Sequence, residues 1–197
     1  MSRFDILDNL VEDGNGYLCT SHVLANGISK PTLADYVNKR NMARVAHGVY
    51  LAEDAWPDEL YQLFLSNRRI VFSHETALQL HGLMEREPKR ISVTVKSGYN
   101  ASHLRKKGIL VYQVKEDLYE LGMTEVQTNF GNKVQTYDME RTVCDILRYK
   151  ESVDVQIFQY AMKEYMASEH KNLNHLIAYA KRFHIEAAMR TYTEVML

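Results

Sequence analysis

The first 51 residues carry the pattern that most constrains the fold. Three short stretches of helical periodicity, the first two closed by a glycine signal, are followed by a short alternating stretch. Phe4, Leu7, Leu10 and Val11 recur at the i, i+3, i+4 spacing of one buried helix face. Ser2 is the candidate N-cap, with Asp5 at N3 facing the helix N-terminus, so a helix is expected over 3–12. Gly14-Asn15-Gly16 breaks it. Thr20 is expected to cap a short second helix that buries Val23, Leu24 and Ala25, and Asn26-Gly27 stops that helix. Ser29 starts a third, with Pro31 in the first turn where proline is tolerated. Leu33, Ala34 and Val37 form its expected buried stripe. Met42–Leu51 alternates around His47-Gly48, the pattern of a β-hairpin. Three helices and a hairpin in this order describe a winged helix-turn-helix.

In that arrangement the third helix reads DNA. On a helical wheel, Thr32, Asp35 and Lys39 point away from the apolar stripe, with Tyr36 and Arg40 on one flank. Lys30 sits at the helix N-terminus, where exposed backbone N–H groups favour phosphate. The candidate DNA-contacting residues are therefore Ser29, Lys30, Thr32, Tyr36, Lys39 and Arg40 on the helix, with Arg44 and His47 on the wing. An ordinary amphipathic helix with a wet face explains the same wheel without DNA. Asp35 does not fit phosphate binding; it either accepts from a cytosine amine or pairs with Lys39 at i+4.

Net charge tests the reading. The whole chain carries only −1, which excludes a uniformly basic nucleic-acid coat. By segment the balance is uneven. Residues 1–19 set Arg3 against Asp5, Asp8, Glu12 and Asp13, a net of −3. Residues 20–50 set Lys30, Lys39, Arg40 and Arg44 against Asp35, a net of +3. Residues 85–107 carry Arg86, Lys89, Arg90, Lys96, Arg105, Lys106 and Lys107 against Glu85 and Glu87, a net of +5. Lys89, Arg90, Lys96, Arg105, Lys106 and Lys107 form a candidate second basic surface, for DNA backbone, RNA or solvent alone.

Residues 51–57 read as a linker, which divides the chain into a reader at 1–52 and a second domain at 57–197. Pro57 is expected to open a helix with Asp58 and Glu59 in its first turn. Ser73 is the N-cap of a helix through Leu80, ended by Gly82. Arg90–Lys96 alternates as a strand, with Ile91, Val93 and Val95 on one face and Ser92, Thr94 and Lys96 on the other. Ala101–Lys107 reads as a short basic helix and Ile109–Val114 as a second strand. Thr124–Phe130 and Lys133–Tyr137 flank Gly131-Asn132 as a hairpin. The last third is helical: Met139–Arg148, Val153–Met166, Leu173–Phe183 and Ile185–Met196, with a tight bend near His184. The fold class expected is α+β: a winged helix-turn-helix, then a mixed α/β domain with a small sheet and a helical C-terminal third.

Enzyme motifs are absent. There is no phosphate-binding loop, dinucleotide fingerprint, zincin pair or nucleophile elbow. His74 and His81 share a helix face but lack a third ligand, so no metal site and no cofactor are expected. Asp138 and Glu140 could form a nuclease-like carboxylate pair, but helix capping by Asp138 is the simpler reading. Cys144 reads as a core thiol. Tyr61, Tyr99, Tyr112 and Tyr119 could stack on bases or simply pack. Cys19 and Cys144 form no CxxC pair, no apolar run reaches a membrane span, and acids punctuate the first residues; a cytoplasmic location is expected, away from membranes.

Three segments add a family likeness: Arg44-Val45-Ala46-His47-Gly48-Val49-Tyr50 on the wing, Phe72-Ser73-His74-Glu75-Thr76-Ala77-Leu78, and Tyr137-Asp138-Met139-Glu140-Arg141-Thr142-Val143-Cys144-Asp145. Together with the N-terminal pattern, they make the chain resemble the AbiEi antitoxin family over nearly its whole length. The resemblance implies an N-terminal DNA-binding domain and a C-terminal antitoxin domain. It implies autorepression at the operon promoter, commonly at inverted repeats. It also implies neutralisation of a nucleotidyltransferase-like toxin, AbiEii, in a type IV arrangement where the two proteins need not touch, in phage-resistance (abortive infection) loci. The alternative reading is a winged-helix regulator whose second domain senses a ligand or dimerises. A third is a nuclease targeted by the winged helix.

Overall fold

The computed structural model describes residues 2–196, with side chains described through residue 194. The chain is a mixed α/β protein and divides into two compact units, residues 1–68 with 127–134 and residues 69–126 with 135–197. No helix among the described residues is long and apolar enough to cross a membrane.

The first unit opens with α1 (Arg3–Asp13). The Ser2 hydroxyl accepts from the Asp5 amide while the Asp5 carboxylate takes the Ser2 amide at 2.6 Å, a reciprocal capping box. Then come β1 (Tyr17–Cys19), α2 (Thr20–Ala25), α3 (Lys30–Lys39), β2 (Ala43–Ala46), β3 (Val49–Leu51) and α4 (Glu59–Ser66). The strands make an antiparallel sheet in the order β1-β3-β2. Leu7, Leu18, Val23, Ile28, Leu33, Tyr36 and Met42 close around one core.

Several expectations are corrected here. β1 is a strand of three buried residues, too short to show a two-residue period in sequence. Thr20 is the first residue of α2 and not its cap; its amide donates to the Gly48 carbonyl at 2.8 Å. Only Val23 of α2 is buried, and Leu24 and Ala25 are exposed. On α3 the buried stripe is rotated: Leu33 and Tyr36 are buried, Val37 is half-buried and Ala34 is exposed. The stretch 51–57 does not bound the unit. Leu65 of α4 packs with Tyr17, Cys19, Val49 and Leu51. Asp58, not Pro57, opens α4: its carboxylate accepts from the Tyr61 amide at 3.0 Å, and also from Thr128 Oγ1 at 2.6 Å and Asn132 Nδ2 at 2.8 Å. Residues 127–134 return to this unit for that reason.

The second unit is built on β4 (Val71–Phe72), α5 (His74–Leu80), β5 (Ser92–Lys96), α6 (Ser102–Lys106), β6 (Leu110–Val114), α7 (Glu116–Tyr119), β7 (Met123–Gln127) and β8 (Lys133–Tyr137), followed by α8 (Met139–Arg148), α9 (Val155–Ala167), α10 (Leu173–Arg182) and α11 (Glu186–Met196). The sheet order is β6-β5-β4-β8-β7, with β4–β8 and β5–β6 parallel and β4–β5 antiparallel. The polar face of β5 is buried as well as its apolar face. The Ser92 hydroxyl donates to the Ser73 carbonyl at 2.6 Å and accepts from the Thr76 amide, so α5 covers that face with its hydrogen bonds satisfied. Val143, Cys144, Ile146 and Leu147 of α8 pack against residues of α5, α9, α10 and α11.

Candidate nucleic-acid interface

A groove of about 410 Å³ lies in the first unit between α3, the start of α2 and the β2–β3 turn. Thr20, Ser21, Lys30, Ala34, Arg44 and His47 line it. Lys30 stands exposed at the first position of α3, before Pro31 and in the turn capped by Ser29. Arg44 reaches across its turn: Nη2 lies 3.2 Å from His47 Nδ1 and Nε donates to the Ala46 carbonyl at 3.4 Å. Gly48 has φ +69°, and a Cβ there would stand 3.3 Å from Thr20 Oγ1, so the turn approaches α2 closely. The groove thus gathers a lysine, an arginine, a histidine and two small hydroxyls on a concave surface.

Of the sequence-derived candidates, Lys30, Arg44 and His47 meet in this groove. Ser29 and Thr32 are engaged in capping α3: the Thr32 amide donates to Ser29 Oγ at 3.4 Å, and the two hydroxyls share a hydrogen bond of 2.9 Å. Tyr36 and Arg40 turn the other way. Tyr36 is buried and its O–H donates to Asp8 at 2.7 Å, while Arg40 pairs with the other Asp8 oxygen at 2.7 Å. Burial first, then Asp8, pushes the Tyr36 phenol up to about 12. These two residues tie α3 to α1. Lys39 pairs with Asp35 at 3.1 Å and lies over the Phe4 ring, the local i+4 pairing that is one of the two readings of Asp35. Sequence reasoning does not find Thr20, Ser21 and Ala34. Thr20 has the look of a cap, and a rotated α3 is invisible until Tyr36 finds its buried acceptor.

The second basic set does not form one surface. Arg90 Nε donates to the Gly108 carbonyl at 2.8 Å, directly after Arg105, Lys106 and Lys107, so these four share one corner of the second unit. Lys89 is exposed beside Arg90 in sequence. Lys96 stands at the other end of β5, roughly 20 Å along the strand, and is paired with Glu116 and Glu120. It is neutralised locally and leaves the set.

Asp138, Glu140 and His175 bring donor atoms within 4.8 Å of one another. Both acids already have donors. Asp138 accepts from the Arg141 amide at 2.7 Å, as the cap of α8, and from Tyr179 O–H at 3.0 Å. Glu140 accepts from Tyr165 O–H at 3.0 Å and the Asn172 amide at 2.7 Å. Burial raises the Asp138 carboxyl, offset by those donors. The set reads as helix-joining rather than ligating. His74 and His81 part company: His81 Nε2 lies 2.6 Å from the Tyr137 carbonyl, and His74 is buried against Tyr112. Tyr119 donates to the Arg69 carbonyl and Tyr61 packs edge-on to Tyr17.

No family model matches the chain. No curated protein matches it either. Among solved structures, the crystal structure of the RV2827C protein from Mycobacterium tuberculosis aligns with a TM-score of 0.57 at 12% identity, covering 89% of this chain and 70% of that one. That likeness shows a shared fold and nothing of activity.

Proposed function

We propose that this protein is a DNA-binding antitoxin of the type IV kind, which represses its own operon through a winged helix-turn-helix and counteracts a nucleotidyltransferase-like toxin through its second unit. The observation that carries the DNA-binding half is the groove between α3 and the β2–β3 turn, where Lys30, Arg44 and His47 converge beside Thr20 and Ser21. The order α1-β1-α2-α3-β2-β3 supports the winged reading, with α3 as the recognition helix and the β2–β3 hairpin as the wing. Ala34 faces the groove without blocking approach to a base edge, and Lys30 and Arg44 suit phosphates on either side. The antitoxin half rests on the family likeness of the three segments named above. The reading assigns no catalytic step and no cofactor to this chain, and places it in the cytoplasm.

Fluorescence anisotropy on the promoter DNA of the operon tests the first half. Lys30→Ala with Arg44→Ala is expected to weaken binding at least about tenfold and to flatten the salt dependence by about 0.9 for each phosphate no longer neutralised. Tyr36→Phe and Lys96→Ala are expected to leave the salt slope unchanged. Equal slopes for the wild type and the double variant would sink the groove as the reading surface. Co-expression with the neighbouring toxin tests the second half. Promoter binding without rescue would leave a plain winged-helix regulator.

A further inference from the structure

An open cleft of about 940 Å³ lies in the second unit, where the ends of β6, α8 and α10 meet α7 and the bend before α11. Four cationic side chains line it: Lys115, Arg148, Lys181 and Arg182. Arg182 is balanced by Asp117 at 2.9 Å. Arg148 shares the buried Asp145 carboxylate with Arg141, at 3.3 Å against 2.9 Å, so it is only partly compensated. Lys115 and Lys181 are exposed and form no ion pair among the described residues. The cleft therefore keeps an excess of positive charge.

Its construction is specific. The Arg148 guanidinium stacks 4.4 Å from the centre of the Phe183 ring and is fixed from behind by Asp145, so it presents its remaining N–H groups with little freedom left to lose. His184 stands at the rim with φ +57°, the position after the cap of α10, where its amide donates to the Lys181 carbonyl and the Ile185 amide to the Ala180 carbonyl. Glycine is the usual residue in that left-handed position, and here it is a histidine, three positions after Lys181. Val114 and Leu118, both half-buried, add apolar surface to the lining, while the Phe183 ring is buried with the Arg148 and Arg141 guanidiniums 4.4 and 4.5 Å from its centre. The volume lies at the upper end of clefts that hold small ligands, about 300–1,000 Å³. Exposed cations together with the apolar side chains of Val114 and Leu118 match a molecule with a phosphate chain and a base.

We propose that this cleft binds a nucleoside polyphosphate, with Lys115, Lys181 and Arg148 on the phosphates and the base against Val114 and Leu118. The inference is independent of DNA binding, because its residues all lie in the second unit.

Isothermal titration of the full-length chain with ATP, GTP, CTP, UTP and inorganic tripolyphosphate tests it. At least one nucleotide is expected to bind about tenfold or more tightly than tripolyphosphate. Lys115→Ala with Lys181→Ala is expected to weaken that binding about tenfold or more, as the removal of two charged hydrogen-bond donors requires. Both side chains are exposed, so circular dichroism should be unchanged. His184→Gly suits the backbone and is expected to weaken binding while preserving or raising the thermal midpoint. Lys30→Ala with Arg44→Ala should leave nucleotide affinity intact, which separates this test from the promoter test. No binding at millimolar nucleotide, equal affinity in the double-lysine variant, or tripolyphosphate binding as tightly as every nucleotide would each overturn the proposal. A short RNA or DNA that binds these lysines more tightly than any nucleotide would also overturn it, making the cleft part of a nucleic-acid surface.

Discussion

Arg141 is fully buried, and every arrangement around it follows from that. Its Nε donates to Asp145 at 2.9 Å, Nη1 donates to the Leu118 and Leu121 carbonyls, and its plane stacks on Tyr137 at 4.1 Å and Phe183 at 4.5 Å. Arg141→Met would leave Asp145 with Arg148 alone and two carbonyls without donors. A loss of about 3–5 kcal/mol is expected, read from urea unfolding. His74 is the second buried group of this kind. Its φ is +51°, Nδ1 bonds the Ser73 hydroxyl, Nε2 has no hydrogen-bond partner, and the ring stacks on Tyr112. Burial, opposed by Asp145 and reinforced by Arg141 and Arg148, lowers its pKa from 6.5 to about 4. The folded state therefore holds the neutral ring while the unfolded chain takes a proton below 6.5. His74 thus costs no stability above pH 6.5, and stability falls as pH drops from about 6.5 to 4, by up to about 3 kcal/mol. His74→Asn, which tolerates the left-handed backbone, should flatten that pH slope. An unchanged slope between pH 6.5 and 4 would show that another group governs it.

At the scale of elements, caps and turns decide how α3 and α8 are held. Ser29→Ala removes the hydroxyl that accepts from Thr32 and should destabilise the first unit by about 1 kcal/mol, with a weaker promoter complex because the same turn carries Lys30. Gly122 has φ +73°, and a Cβ there would stand 2.7 Å from Arg141 Cβ and 3.1 Å from an Asp138 oxygen. Gly122→Ala should cost about 1–3 kcal/mol, checked by thermal melting. These elements also show what a sequence can carry. The helices of the last third, α6, β6 and the β7–β8 pair fall within a few residues of their expected places, because periodicity and turn residues are local. The rotation of α3 does not, since it depends on Asp8, 28 positions earlier, accepting from Tyr36. The groove is legible for Lys30, Arg44 and His47 and opaque for Thr20 and Ser21, whose placement depends on the Gly48 turn. The basic block reads as one patch because linear charge does not show that Arg90 and Lys96 sit at opposite ends of a strand.

At the scale of the molecule, the first unit is discontinuous. A fragment of residues 1–52 would expose Tyr17, Cys19, Val49 and Leu51 where Leu65 covers them, and burying a leucine contributes about 1.5–3 kcal/mol. A fragment of residues 1–68 would regain Leu65 but leave the buried Asp58 carboxylate without Thr128 and Asn132. Chemical unfolding should therefore rank the full chain above 1–68 and 1–68 above 1–52. A 1–52 piece as stable as the first transition of the full chain would contradict the packing described.

The partners of Asp58 lie far downstream, with 74 positions separating it from Asn132. At synthesis rates of about 5–20 residues per second, roughly 4–15 s pass between the appearance of that carboxylate and of its last donor. A nascent chain carrying Lys30 and Arg44 is thus an unfinished reader for several seconds, and it is completed only by a hairpin tip made alongside the second unit. Ribosome-bound chains stalled before residue 128 should be protease-sensitive in their first 68 residues, and those stalled well beyond residue 134 should resist.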